Sequence, residues 1–431
     1  MRNIFAFIRQ FAVEERLRTH LLLLFGVALL ARLALLAVIP NANLSTNAIE
    51  AIINGANMIR AGQFPSDPEF PLWVPPLTAL FVAAIQSVFG ESLLPVKLAQ
   101  VLLDGFTVLM VFGIGRLLVP YRAALLGALV VAVYPFGAMT TIYIGTESLF
   151  SFFLAAFLLV TLRSLRSESV MGFLGAGVLL GLACMVRGSA QYFPIFFIPL
   201  LAWLTWRRRG AAAKFFSQSA VFVIGFAIVV GPWAYRNVTV LGAFIPTSIP
   251  GLPLVNGSSE DFWVIEDRRR NFPAYSQHLK EIGVVSSGKP TWVVKDRFYR
   301  EAAIEKYRLR WQQDPWSYPW FLVRKFARMW YATETGNNHG LILATNLPIY
   351  GCALVGLWLL LRIRSDATFV VVGMLAYFIA IHAAVYSLFR FIVPVMPYII
   401  LMASLGLLHM VELLWSPRGR GSTSGDAVTA S

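Results

Sequence analysis

Ten runs of about 20 apolar residues recur along the chain, near 20–39, 94–118, 123–143, 148–165, 170–188, 191–206, 215–233, 344–361, 367–388 and 391–414. A helix rising 1.5 Å per residue crosses the roughly 30 Å hydrocarbon core in about 20 residues and pairs its own backbone groups on the way. Soluble domains carry about a quarter of their residues as charges. This chain is 58% hydrophobic and 13% charged. The pattern predicts an all-α polytopic membrane protein of about ten transmembrane helices.

The net charge of +14 does not call for nucleic acid. The basic residues sit in short clusters between apolar runs: Arg2 to Arg18, Arg116 and Arg122, Arg163 and Arg166, Arg207 to Lys214, Arg362 and Arg364, Arg418 and Arg420. Residues 75–89 form a shorter apolar run that opens on a double proline. If it crossed, Arg116, Arg122 and the Arg207 cluster would face outward. If it is re-entrant or interfacial, every cluster falls on one side, as the positive-inside bias requires. Both termini are then cytoplasmic. The first run is too long for a signal-peptide core, which predicts an uncleaved first span. Cys184 and Cys352 lie inside apolar runs and do not form a disulfide framework.

This reading divides the chain into a cytoplasmic N-terminus (1–19), an N-terminal transmembrane part (20–233) with an outer loop at 41–93, and an outer module (234–343). C-terminal spans (344–414) and a Gly/Ser-rich, disordered cytoplasmic tail (415–431) follow. In the outer loop, Ile49, Ile52, Ile53, Ala56 and Ile59 recur at helical spacing, with Glu50, Asn54 and Asn57 on another face. That is a helix lying along the membrane surface. Gly62 ends it, and the prolines at 65, 68, 71, 75 and 76 keep the following acidic turn extended. In the module, Trp316, Trp320, Val323, Ala327 and Trp330 make an apolar stripe opposite Arg324, Lys325 and Arg328. This predicts a second interfacial helix over 315–332.

No P-loop, GxSxG, paired CxxC or HExxH is present, and the five histidines are scattered over different segments. No cofactor is indicated. A divalent metal is compatible with the outer acids, but no ligand cluster points to one. Glu147, in Gly145-Thr146-Glu147, stands at the outer mouth of two spans, where a carboxylate is costly without a role or partner. Glu50 lies on the surface helix, Asp67 and Glu69 on the turn after it, and Asp104 just inside the second span. A carboxylate at such a mouth can take a proton from a hydroxyl nucleophile. The alternative for each is a hydrogen-bonded structural acid. Arg187 and Arg390 face outward against the positive-inside bias, and Lys325 lies near them in topology. Guanidinium groups grip phosphate oxygens bidentately; snorkelling to lipid headgroups is the alternative.

Several of these stretches resemble the GT-C glycosyltransferases. They are Ala56-Asn57-Met58-Ile59-Arg60-Ala61-Gly62-Gln63-Phe64, Pro75-Pro76-Leu77, Gly115-Arg116-Leu117, Thr146-Glu147, Val186-Arg187, Pro232-Trp233-Ala234-Tyr235-Arg236-Asn237, and Arg390 with Pro394 and Pro397. More narrowly they look like the bacterial family-39-like branch of protein O-mannosyltransferases, aminoarabinose transferases and Rgt-type lipopolysaccharide glycosyltransferases. The resemblance implies a GT-C-like bundle that moves a hexose or pentose from a polyprenyl-phosphate donor to an acceptor on the outer face of a bacterial inner membrane. That acceptor would be a glycolipid, polysaccharide or protein. It implies Glu147 as the acid of the second outer loop. Where the family usually carries a first-loop aspartate, this chain has Asn47 and Ala48, and Glu50 is the nearest acid. A transporter or lipid flippase, and a non-catalytic GT-C-like assembly partner, are the competing readings. Transporters show internal repeats and mid-bilayer polar sites, whereas here the polar residues gather at one mouth.

The topology has a direct check. Cysteines placed at Arg122, Arg209 and Arg364 should react only from the cytoplasmic side, and those at Ser66 and Lys289 only from outside. Outside labelling at position 122 means that 75–89 crosses.

Overall fold

The computed structural model describes residues 2–40, 47–64, 66–67, 69–281 and 292–415, and among these every regular element is helical. The side chains of Asn47 and Ala48, position 289 and the tail from 416 lie outside the described residues. The chain begins with α1 (Arg2–Val38), the surface helix α2 (Asn47–Arg60) and the short α3 (Pro76–Phe89). It then runs through α4 (Leu94–Leu118), α5 (Tyr121–Val133), α6 (Pro135–Ile142), α7 (Glu147–Ser167), α8 (Val170–Val186), α9 (Phe193–Arg207) and α10 (Ala212–Leu241). The outer module holds α11 (Gly251–Asn256), α12 (Ile265–Glu281), α13 (Trp292–Gln313) and α14 (Ser317–Arg328). The chain re-enters with α15 (His339–Ile363), α16 (Asp366–Ala384), the single turn α17 (Phe389–Ile392) and α18 (Met396–Trp415).

Among the described residues eight helices are long and apolar enough to cross a membrane, and the bent pair α5 and α6, taken as one span, makes a ninth. The 17-residue α8 is apolar throughout and packs between α7 and α10. These ten segments coincide with the ten apolar runs. The 14-residue α3 falls short of a span. The fold is an all-α polytopic membrane bundle.

Lipid supplies no hydrophobic drive between helices, so close packing must hold them. Two glycine pairs provide it. A Cβ on Gly177 would lie 2.0 Å from the Phe222 carbonyl oxygen, and one on Gly225 2.3 Å from that of Leu174, so α8 and α10 touch backbone to backbone. Gly356 and Gly406 do the same for α15 and α18 against Met402 and Cys352.

The bend between α5 and α6 is 47°. Pro135 has no N–H to give Val131, four residues earlier, so the helical ladder breaks there and the Val131 carbonyl keeps only a long bond from the Tyr134 N–H at 3.3 Å. Arg32 of α1 answers it. Its side chain is 1% exposed and donates to the carbonyls of Val131 (3.4 Å) and Ala132 and, through Nε, to Asp104 of α4 at 2.5 Å. One guanidinium therefore joins α1, α4 and the break.

Removing one member of a buried ion pair typically costs about 3–5 kcal/mol, because the other charge is stranded. Arg32→Met should accordingly lower thermal stability in detergent more than the double change Arg32→Met with Asp104→Leu. A double variant as unstable as the single one would show that the pair is not what Arg32 holds.

Candidate active site at the outer mouth

Four elements converge at one end of the bundle. The N-terminus of α7 supplies Glu147, and the end of α8 supplies Arg187, where the backbone turns extended (φ −145°) and leaves the helix. Gly145 leaves the Glu147 carboxylate its space, since a Cβ there would sit 2.6 Å from Oε2. Arg187 Nη2 donates to Glu147 Oε1 at 3.1 Å. The third contribution is α17, with Arg390 and Phe391. The fourth is the segment after α14, whose Glu334 accepts an ion pair from Arg390 at 3.1 Å.

Phe391 is the platform of this cluster. The guanidinium carbons of Arg187 and Arg390 lie 4.9 and 5.0 Å from its ring centre, and the His382 ring stacks on it at 5.0 Å and 18°. Cations over an aromatic face are held by its quadrupole. Two guanidinium groups so close repel each other, and Glu147 and Glu334 offset that repulsion. The carboxylates do not use every donor. Arg187, 9% exposed, keeps a buried Nη1, and Arg390 a buried Nε, without a hydrogen-bond partner among the described residues. Buried unpaired donors are costly, and here two of them belong to groups that bind oxyanions.

The other sequence-derived candidates go elsewhere. Lys325 is fully buried in the outer module, where Nζ donates to the carbonyls of Ala384 (2.7 Å) and Val385 (3.2 Å) and meets Tyr307 Oη at 3.2 Å. It caps the C-terminal end of α16, where a cation meets the open carbonyls. The basic stripe of α14 is thus turned inward, with Arg328 over Trp263 and Arg324 on Glu260, while Trp316, Trp320 and Val323 stay exposed. Asp104 pairs with Arg32.

Asp67 and Glu69 serve the outer loop through their backbones. The Asp67 carbonyl accepts from Arg236, and the Glu69 carbonyl from Trp292 Nε1 at 2.8 Å. Phe64, Phe70 and Trp233 form an aromatic triangle beside them, with Arg236 over Trp233. Glu50 is exposed on the first turn of α2. The buried face of that helix (Ala51, Ile52, Ala56) joins Val82, Val96 and Ile144 in one apolar cluster, so α2 is packed toward the segment leading to Glu147. Sequence reading missed Phe391, His382 and Glu334. Phe391 adjoins Arg390 and His382 lies eight residues before it, whereas Glu334, 56 residues away, is marked only by the fold. Among the described residues no group of three or more His, Cys, Asp or Glu could hold a metal.

Comparison with known proteins agrees with this architecture. The archaeal oligosaccharyltransferase of Archaeoglobus fulgidus, in its apo form, superposes with a TM-score of 0.56 at 14% identity over 92% of this chain and 51% of its own. The same enzyme, AglB, in complex with an inhibitory peptide and a dolichol-phosphate gives 0.53 at 14% over 93% and 52%. The chain has a GT-C-type fold. Residues 73–235 match the model of the dolichyl-phosphate-mannose-protein mannosyltransferase family, a stretch that contains Glu147 and Arg187 and leaves out α2 and α17. An undecaprenyl phosphate-α-4-amino-4-deoxy-L-arabinose arabinosyl transferase of Pseudomonas aeruginosa (strain LESB58) is 29% identical over 157 residues, 36% of this chain and 28% of that protein. The chain thus spans about half the length of the solved relatives, and its match covers under a third of the curated one.

Lys325 gives a pH prediction. Burial brings its pKa down from 10.5 to about 7. Between those values the unfolded chain binds more protons than the folded one, so stability rises with pH there. Melting temperature should climb from pH 7 toward 10, and Lys325→Met should flatten that climb. An unchanged slope in the variant would assign the pH dependence to other groups.

Proposed function

We propose that this protein is a glycosyltransferase that takes a sugar from a polyprenyl-phosphate donor and passes it to a hydroxyl-bearing acceptor at the outer face of a bacterial inner membrane. The observation that carries the reading is the pair of guanidinium groups on Phe391, each with a buried donor to spare, beside a carboxylate at a membrane mouth. The donor phosphate fits between Arg187 and Arg390. As it binds, it competes with Glu147 for Arg187 and releases the carboxylate. In the transfer step the acceptor oxygen bonds to the anomeric carbon, the bond from that carbon to the phosphate oxygen breaks, and the acceptor proton passes to a carboxylate. The arginines take up the charge that develops on the leaving phosphate. Glu50 and Glu147 are the proposed acids, with Glu50 as base and Glu147 as the positioning acid. Lys325 supports the donor site from behind by fixing the end of α16 that leads to His382 and α17. The undecaprenyl phosphate in the arabinosyl transferase's name and the dolichol-phosphate in the AglB complex support the polyprenyl-phosphate class.

The test uses purified protein in nanodiscs with polyprenyl phosphate and a labelled polyprenyl-phosphate sugar. Losing one charge-assisted partner of a buried anion costs about 2–5 kcal/mol, so Arg390→Ala should weaken polyprenyl phosphate binding at least about 30-fold. Arg390→Lys should recover it in part, because lysine lacks the fork. Glu50→Gln should cut transfer about 100-fold or more with binding intact. Full transfer in Glu50→Gln with none in Glu147→Gln moves the base to Glu147. Binding without any transfer, indifferent to both changes, makes the chain a non-catalytic lipid-phosphate binder.

A further inference from the structure

A cavity of about 520 Å³ lies between α2 and α3, away from the arginine pair, lined by Ile53, Asn57, Arg60, Gln86, Glu91 and Leu93, with Ala61 at its edge. Ligand pockets run about 300–1,000 Å³, so it has room for a short glycan segment. We infer that this cleft is an acceptor subsite that holds a neutral sugar unit, an assignment that rests on the transferase reading and adds where the acceptor sits.

Three features specify the ligand. The first is charge. Arg60 and Glu91, the charged lining residues, pair with each other at 3.3 Å. The cleft is electrically balanced and offers a phosphate no spare cation, unlike the outer mouth. The second is the polar lining. Gln86 is 5% exposed, and its Nε2 is committed to the Glu91 carbonyl at 3.0 Å. Its Oε1 is buried without a partner among the described residues. That acceptor calls for an O–H or N–H donor, and Asn57 across the cleft offers an amide that both donates and accepts. Hydroxyl groups on neighbouring carbons match such a pair of amides, while Ile53 and Leu93 meet the C–H face of a ring. The third is register. Glu50, Ile53, Asn57, Arg60 and Ala61 fall on one stripe of α2 at helical spacing. At 1.5 Å per residue the cleft residues Ile53 to Asn57 begin roughly 5 to 10 Å along the axis from Glu50. A sugar held there points a hydroxyl along the stripe toward the proposed base.

The experiment is saturation-transfer NMR on the full chain in nanodiscs with a panel of methyl hexopyranosides and methyl pentopyranosides, and hexose 1-phosphates for comparison. At least one neutral glycoside should bind saturably, at least fivefold more weakly in Asn57→Ala and without detectable saturation in Gln86→Leu. Polyprenyl phosphate binding, measured on the same samples, should stay at the wild-type level and so reports that both variants fold. Absence of saturable binding by every neutral glycoside, wild-type binding in Asn57→Ala, or binding of the phosphorylated sugars alone would each overturn the assignment. The readout needs no turnover. Loss of transferase activity with glycoside binding intact removes the catalytic reading and leaves the subsite standing, whereas the reverse removes only the subsite.

Discussion

The bundle depends on one guanidinium placed where a helix is broken. Pro135 breaks the backbone ladder inside the apolar bundle, leaving the Val131 carbonyl only a long bond from Tyr134, and poorly paired backbone groups are costly in hydrocarbon. Water cannot repair it, so another helix must. Arg32 does so from α1, and Asp104 balances its charge from α4. The bend matters because it redirects the chain: α6 ends near Tyr143, and the next residues are the turn that delivers Glu147 to the outer mouth. Without the break, α5 would run straight and the turn would sit elsewhere. An interaction deep in the membrane thus sets the position of a carboxylate at its surface.

At the mouth the same economy of charge appears in another form. Arg187 and Arg390 repel, and Glu147 and Glu334 hold them, one from a span and one from the outer module. Phe391 keeps both guanidinium groups over one ring, so their planes are fixed before any anion arrives. Preorganised donors cost no reorganisation when charge develops. On the proposed reading the incoming phosphodiester, a monoanion, competes with the carboxylates for donors already in place, and the same donors take up the second charge that develops on the leaving phosphate.

Much of this was legible in the sequence, and the limit has a physical cause. The spans, the helix α2 and the gathering of Glu147, Arg187 and Arg390 at one end of the bundle follow from local pattern and charge bias. Partnership does not. Pro135 announces a break, but nothing near it names Arg32, 103 residues earlier in the chain. Lys325 looked like a phosphate ligand because it stands on the outer side with two arginines. It is instead drawn to the open carbonyls of α16, which a sequence shows only as the end of an apolar run. The stripe of α14 was read correctly as amphipathic, yet its basic side faces inward. There the rings of Trp263 and Phe321 and the carboxylate of Glu260 face those side chains, while Trp316 and Trp320 stay exposed.

The outer loop shows why a catalytic acid can be relocated on this fold at small cost. Asp67 and Glu69 hold the loop through their main-chain carbonyls, and Phe64 and Phe70 through their rings on Trp233. None of those contacts requires a particular side chain in the first turn of α2. Its buried face is fixed by Ala51, Ile52 and Ala56, and Glu50 stands exposed outside that face. An acid there answers to chemistry and to the helix dipole, which favours a carboxylate anywhere in the first turn. Glu50, at the fourth residue of α2, satisfies the dipole as well as an acid at position 47 would. It also lies on the stripe that leads into the cleft. On the proposed reading, that stripe is what makes an acid useful at this residue.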